Sequence, residues 1–145
     1  MALLFEDNFD GVALNASSWT AKQNESHCCQ LGKQELQLYL SDEVIVADGM
    51  LQLRTRRRSV FGPDHQYNYT SGWIDSLGKV AHRFGRWEAN CSPPPSAARG
   101  IWPAFWLLPD GPACWPTGGE VDIFEYNGDP LVDRVFGSFH WGPNC

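Results

Sequence analysis

Three carboxylates, Glu120, Asp122 and Glu125, stand within six consecutive positions in the stretch GGEVDIFEYNG at 118–128. Val121, Ile123, Phe124 and Tyr126 surround them. Such apolar and aromatic neighbours favour a strand, whose side chains alternate between two faces. Glu120 and Asp122 then share a face, and Glu125 falls on the other unless one extra residue intervenes. A β-bulge at Ile123–Phe124 would supply that residue and turn Glu125 to the side of the other two. Bulges recur beside active sites because they re-aim a side chain. Three carboxylates on one face repel one another, which raises at least one pKa and leaves one group protonated near neutral pH. One ionised and one protonated carboxyl are the pair that glycosidic cleavage requires. The competing reading is a solvated acidic strand face. Against it, charges rarely alternate with Val, Ile and Phe on a fully exposed strand, and tryptophans crowd the flanks.

The elements that must position these groups all read as β. Glu35 to Leu40 alternates, with Leu36, Leu38 and Leu40 on one face. Val44–Val46, Asp48-Gly49 and Met50–Arg56 spell a hairpin whose Asp-Gly pair suits a two-residue turn. Leu51 and Leu53 would face the core, with Gln52 and Arg54 outward. Thr70–Asp75 and Phe84–Asn90 predict further strands separated by Gly78 and Lys79, and Pro93-Pro94-Pro95-Ser96 a stiff loop. Ile101–Leu108, the acidic strand and Arg134–Trp141 complete the set. No segment has helical periodicity. Short strands with Gly and Pro turns argue an antiparallel sandwich.

Composition bounds the function. The chain has 145 residues, 43% of them hydrophobic, with seven tryptophans, enough for one domain and its core. No apolar run approaches the roughly 20 residues of a membrane span. Net charge is −6 with eleven basic residues, which argues against a nucleic-acid partner. The basic run Arg54–Arg58 reads as decoration of a strand. Cys28, Cys29, Cys91, Cys114 and Cys145 have no spacing that suggests zinc, so neither metal nor cofactor is expected. Glycosylation sequons at Asn15, Asn24, Asn68 and Asn90 lean towards a secreted protein with partly oxidised cysteines, Cys28 or Cys29 among the bridged. Met1–Phe5 is too short for a signal peptide, so extracellular placement requires a signal removed or lying outside this chain.

The chain resembles glycoside hydrolase family 16, and within it the laminarinase-like β-1,3-glucanases. GGEVDIFEY matches that family's active-site motif in its bulged form. The resemblance runs on through FEDNFDG at 5–11, GKQELQLYL at 32–40, VADGMLQLRTR at 46–56, YTSGWIDSLGKV at 69–80, RFGRWEA at 83–89, GIWPAFWLLP at 100–109 and FGSFHWGP at 136–143. It implies an all-β jelly-roll sandwich of two antiparallel sheets, of the concanavalin A-like lectin/glucanase type, with the substrate cleft on the concave face. The expected unit is a single catalytic domain over 1–145. Relatives continue through several more strands, so an incomplete domain is expected here, monomeric when complete.

Family resemblance assigns the roles. Glu120 corresponds to the nucleophile, Glu125 to the general acid and then base, and Asp122 to a carboxylate that hydrogen-bonds a neighbour and tunes it. In the retaining mechanism so implied, the two glutamate carboxyls stand about 5–5.5 Å apart. A strand rise of about 3.3 Å per residue would hold them about 16 Å apart, so the bulge and the long side chains must close the gap. Flat sugar faces stack on aromatic rings. Trp115 corresponds to the tryptophan at the cleavage subsite, and Trp106 to one pointing into the cleft. Trp102 shares the strand face of Trp106, but of the three tryptophans it has the least claim to the cleft. The FGSFHWGP match places His140 beside the acid pair, where it could bond carboxylates or sugar hydroxyls.

Two positions depart from the pattern: Trp73 stands where many relatives have arginine, and Lys33 where many have asparagine. Both bear on contacts at the non-reducing side of the cleft, and neither touches the acid pair. A retaining endo-acting hydrolase of β-1,3 or mixed β-1,3/1,4 glucans is the expected activity. A non-catalytic glucan-recognition module is the alternative from another class. Such relatives typically lose one or both glutamates, which this chain keeps. A transglycosylase or galactan hydrolase of the same fold is the third reading, since loops rather than fold decide substrate.

Overall fold

The computed structural model describes residues 2–26, 35–94, 100–126 and 134–144. Lys33, Cys28, Cys29 and Cys145 lie outside them. The chain divides into two compact units, Met1–Ala81 and His82–Cys145, each taken here by itself.

Among its described residues the first unit holds seven strands: β1 (Thr20–Ala21), β2 (Gln37–Tyr39), β3 (Val44–Ala47), β4 (Met50–Leu53), β5 (Thr55–Phe61), β6 (Gln66–Ser71) and β7 (Ile74–Asp75). One 3₁₀ turn, Ser41–Glu43, precedes β3. The hairpin β3–β4 forms as its Asp-Gly turn predicts. Asp48 and Gly49 have φ of 56° and 68°, the pair of positive angles a type I′ turn needs. Strands β2, β6 and β5 form a second sheet in which β2 runs parallel to β6. Leu38, Leu40 and Tyr67 bury one another there, with Val60 packed against them.

Leu36 and Leu53 depart from expectation. Alternation put Leu36 with Leu38 and Leu40, yet it is exposed, because β2 and its buried face begin only at Gln37. Leu53 is 46% exposed rather than inward, and Leu51 is half-buried, since among the described residues β4 pairs with β3 alone. The expected strand Thr70–Asp75 is broken at Gly72-Trp73. A side chain on Gly72 would bring its Cβ within 2.6 Å of the Glu43 carbonyl oxygen, so only glycine admits this approach. Beyond the break, β7 pairs with β1.

The second unit contains β8 (Ala104–Leu107), β9 (Glu120–Tyr126) and β10 (Val135–His140), an antiparallel sheet with β9 in the middle. The strand expected from Ile101 starts only after Pro103, whose nitrogen has no hydrogen to donate. Phe84–Asn90 forms no strand. Phe84 is exposed, and Gly85 sits at φ 154°, outside the strand range. Among the described residues no helix is long and apolar enough to cross a membrane.

Candidate active site

The register of the second unit's sheet decides which way the carboxylates of β9 point. Along β10, Phe136 pairs with Glu125, Ser138 with Asp122 and His140 with Glu120. Two steps on β10 therefore match three on β9 between Asp122 and Glu125. Along β8, Ala104 pairs with Glu125, Phe105 with Phe124 and Trp106 with Asp122, so one step there matches two. Both ladders place one extra residue at Ile123–Phe124, which is the bulge the spacing predicted. Phe136, Ser138 and His140 share a face by alternation, as do Ala104 and Trp106. Glu120, Asp122 and Glu125 consequently lie on one side of the sheet. Gly119, at φ 80°, delivers the chain into β9.

Each glutamate accepts a hydrogen bond from a different indole. Trp115 Nε1 donates to Glu120 Oε2. Trp102 Nε1 donates to Glu125 Oε1 at 2.8 Å. Asp122, between them, is only 4% exposed. His140 Nε2 lies 3.0 Å from Asp122 Oδ2, at ion-pair distance but not in hydrogen-bond alignment, and that buried oxygen has no hydrogen-bond partner among the described residues. The His140 ring in turn tilts against Trp115, with centroids 5.9 Å apart.

Electrostatics single out Glu120. Burial pushes its carboxyl above the ordinary glutamate value, the Trp115 hydrogen bond opposes that, and the charge of Asp122 adds to the rise. The charge of His140 works against the rise, and that of Glu125 with it. An acidic group with its titration displaced beside like charges is the pattern expected of a reactive carboxylate pair.

All the residues expected at the site fall in this unit. Trp115 touches Glu120 and His140, His140 lies against Asp122, Glu125 shares their side of the sheet, and Trp106, half-buried, is the cross-strand neighbour of Asp122. The residue that sequence reasoning undervalued is Trp102, whose indole reaches Glu125. Its signal was the i, i+2 spacing to Ala104, the residue opposite Glu125. Trp73 packs edge-on against Tyr39 with Lys22 over its ring, inside the first unit. The described residues gather no cluster of His, Cys, Asp and Glu fit for a metal ion. A hollow of about 480 Å³ lies instead in the first unit, lined in part by Glu35, Asp64, His65 and Tyr67. Two of its lining acids are already engaged: Asp64 accepts from Tyr67 at 2.7 Å, and Glu35 accepts from Tyr39 at 2.9 Å. The open sheet face, rather than that hollow, carries the reactive groups.

Known proteins share this arrangement of strands. The chain is 38% identical over 117 residues to a Beta-glucanase of Rhodothermus marinus, covering 75% of this chain and 38% of that protein. It is 30% identical to Glucan endo-1,3-beta-glucosidase A1 of Niallia circulans, covering 98% of this chain and 22% of that protein. Among solved structures, the catalytic domain of an endo-1,3-beta-glucanase (laminarinase) from Thermotoga petrophila RKU-1 matches with a TM-score of 0.80 at 27% identity, over 97% of this chain and 57% of that one. The laminarinase from Rhodothermus marinus matches at 0.70 and 31% identity, over 96% of this chain and 55% of that one. The chain thus spans just over half of these structural relatives and less of the curated ones, and its all-β fold is the jelly roll the resemblance implied. The family description Glycosyl hydrolases family 16 fits residues 14–142, and the chain belongs to that family.

Proposed function

We propose that this chain carries the catalytic groups of a retaining, endo-acting hydrolase of β-1,3 or mixed β-1,3/1,4 glucans such as laminarin. One observation carries the reading: the bulge at Ile123–Phe124 puts Glu120, Asp122 and Glu125 on one face, with an indole donor on each glutamate.

Glu120 attacks the anomeric carbon as Glu125 gives its proton to the departing glycosidic oxygen. The bond to Glu120 forms, the bond to the leaving sugar breaks, and the enzyme holds a glycosyl ester. Water then loses a proton to Glu125 as it displaces Glu120, and net configuration is retained. Trp115 serves the nucleophile twice: its N–H stabilises the carboxylate in the resting enzyme, and its bond to Oε2 leaves Oε1 as the attacking atom. Asp122 raises the proton affinity of Glu120, and the adjacent His140 offsets part of that charge. The exposed face of β8 and β10 offers Trp106 and His140 to sugar rings and hydroxyls. Secretion belongs to the same reading. Cys114 is disulfide-bonded, and such bridges persist in oxidising compartments.

The deciding experiment digests laminarin and lichenan with the full chain and follows the first product by NMR. New reducing ends should appear first as the β anomer, with oligosaccharides rather than glucose predominating. First appearance of the α anomer would refute the double displacement, and absence of cleavage on both glucans would return the chain to the class of glucan-recognition modules.

A further inference from the structure

We propose that Trp102 is a positioning residue for Glu125, fixing which carboxyl oxygen delivers and receives the proton. The inference rests on the reading of Glu125 as acid and base given above. Trp102 precedes β8, but the ladder runs on towards it, since the Pro103 carbonyl accepts the Tyr126 N–H at 3.1 Å. Trp102, Ala104 and Trp106 alternate onto one face, and Ala104 lies directly across from Glu125. The small side chain of Ala104 leaves the space above it open. A diagonal cross-strand neighbour is about 7–8 Å away, within reach of an aromatic side chain. The Trp102 indole crosses that space to Glu125 Oε1 at 2.8 Å.

Packing does not explain where this ring sits. Trp102 is 60% exposed, so its contact with Glu125 is not a by-product of core burial. An N–H pointed at Oε1 favours the acidic proton on the other oxygen, because the unprotonated carbonyl oxygen is the stronger hydrogen-bond acceptor of the two. The acidic proton is thereby assigned to Oε2, and after glycosyl transfer Oε2 is also the oxygen freed to accept a proton from water. The same logic on Glu120 assigns attack to Oε1, so each of the two indoles marks one oxygen as the spectator.

Trp102→Phe tests the idea, because it retains an aromatic ring and removes only the donor. On laminarin, whose leaving group needs protonation, kcat should fall by roughly tenfold with KM little changed, a part of the 10²–10⁴ that general acid–base catalysis supplies. On a laminari-oligosaccharide bearing a dinitrophenyl leaving group, which departs without a proton, the first-step rate should stay within about twofold of wild type by the same reasoning. Equal losses on both substrates would make Trp102 a sugar platform and overturn the proposal, as would no loss on either. A second measurement is independent of turnover. The Trp102 indole N–H resonance should move with pH as Glu125 ionises, and the movement should vanish in Glu125→Gln. A pH-insensitive indole refutes the contact even in an active enzyme. A pH-responsive indole in a chain that cleaves no glucan would sustain the contact and refute the functional reading instead.

Discussion

Glu43 and Glu120 are both glutamates placed against arrays of side-chain donors, and the two units of the molecule treat them in opposite ways. Glu43 is completely buried at the end of the 3₁₀ turn. Arg56 Nε reaches both its oxygens, at 3.0 and 2.8 Å, Arg58 reaches Oε1 at 3.3 Å, and Thr70 donates to the same oxygen. Arg54 Nε stands 3.4 Å away, and its Nη2 donates to the Asp42 carbonyl at 2.6 Å. Burial alone would push the Glu43 carboxyl up, but the hydrogen bonds from Arg56 and Thr70 and the charges of Arg56 and Arg54 outweigh it, and the pKa falls. Glu120 has one indole, a partly opposing histidine and two like charges nearby, and its pKa rises. A saturated carboxylate is held as a permanent anion and can serve only as a fastening. An undersaturated one keeps its affinity for a proton or an electrophile, which is the capacity a nucleophile needs.

The sharpest way to test that contrast is to neutralise each glutamate in turn. Glu120→Gln should lower glucan cleavage by about four orders of magnitude or more, the scale seen when a nucleophile is removed. Glucan binding and the unfolding transition should survive. Retained turnover would show that the undersaturated carboxylate is not the reactive one.

Glu125→Ala should come next in size. Laminarin hydrolysis should drop roughly 10²–10³-fold, within the range for loss of a general acid. Activated glycosides should lose far less, and added azide should restore part of their turnover by standing in for the second-step nucleophile. Rates that fall equally for good and poor leaving groups, with no azide rescue, would remove Glu125 from the acid–base role.

Glu43→Gln should leave chemistry aside and act on stability. Removing one member of a buried ion pair costs about 3–5 kcal/mol when the abandoned charges stay buried. Here the arginines are more than a third exposed and can turn to solvent, so about 2–3 kcal/mol is expected, read from urea denaturation. A change below about 0.5 kcal/mol, the size of an ordinary surface substitution, would show the cluster to be decoration after all.

Decoration is how the arginine run reads in the sequence, and the reason is instructive. Alternation places Arg54, Arg56 and Arg58 on one face but does not say what that face meets. The partner is settled by the hairpin register, which pairs Val44 with Leu53 and so brings Glu43 beside Arg54, with the Arg54 N–H on the Glu43 carbonyl at 2.9 Å. Nothing in the residue types around Glu43 signals burial. The acidic strand was far more legible, because an odd spacing between Asp122 and Glu125 amid strand-forming residues demands a bulge if the three acids are to act together. The indole of Trp102 was only half legible: its i, i+2 spacing to Ala104 is in the sequence, but that Ala104 lies opposite Glu125 depends on a register that the bulge itself shifts. Phe84–Asn90 shows the opposite failure. There the residue types suited a strand, but no neighbouring backbone among the described residues supplies a ladder, and types alone do not make one.

The smallest effect is also the one that opposes the two glutamates most directly, through the pH dependence of stability. Glu43 binds its proton less tightly folded than unfolded. Between its lowered value and the ordinary one near 4.5, the unfolded chain holds more protons, so stability rises with pH there and is lost as pH falls through the folded value. Glu120 binds its proton more tightly folded. From the ordinary value near 4.5 up to its raised one, the folded chain holds more protons, so its contribution declines as pH rises. Each slope is at most one proton, about 1.4 kcal/mol per pH unit, and the partial exposure of Glu120 makes its share the weaker. Urea midpoints measured from pH 3 to 8 should therefore separate the two. Glu43→Gln should flatten the acid limb, leaving the near-neutral region unchanged in shape, and Glu120→Gln should remove the decline above pH 4.5 and leave the acid limb standing. If Glu120→Gln instead steepened the loss of stability above pH 4.5, the carboxylate of β9 would be a fastening like Glu43, and the contrast between the two units would collapse.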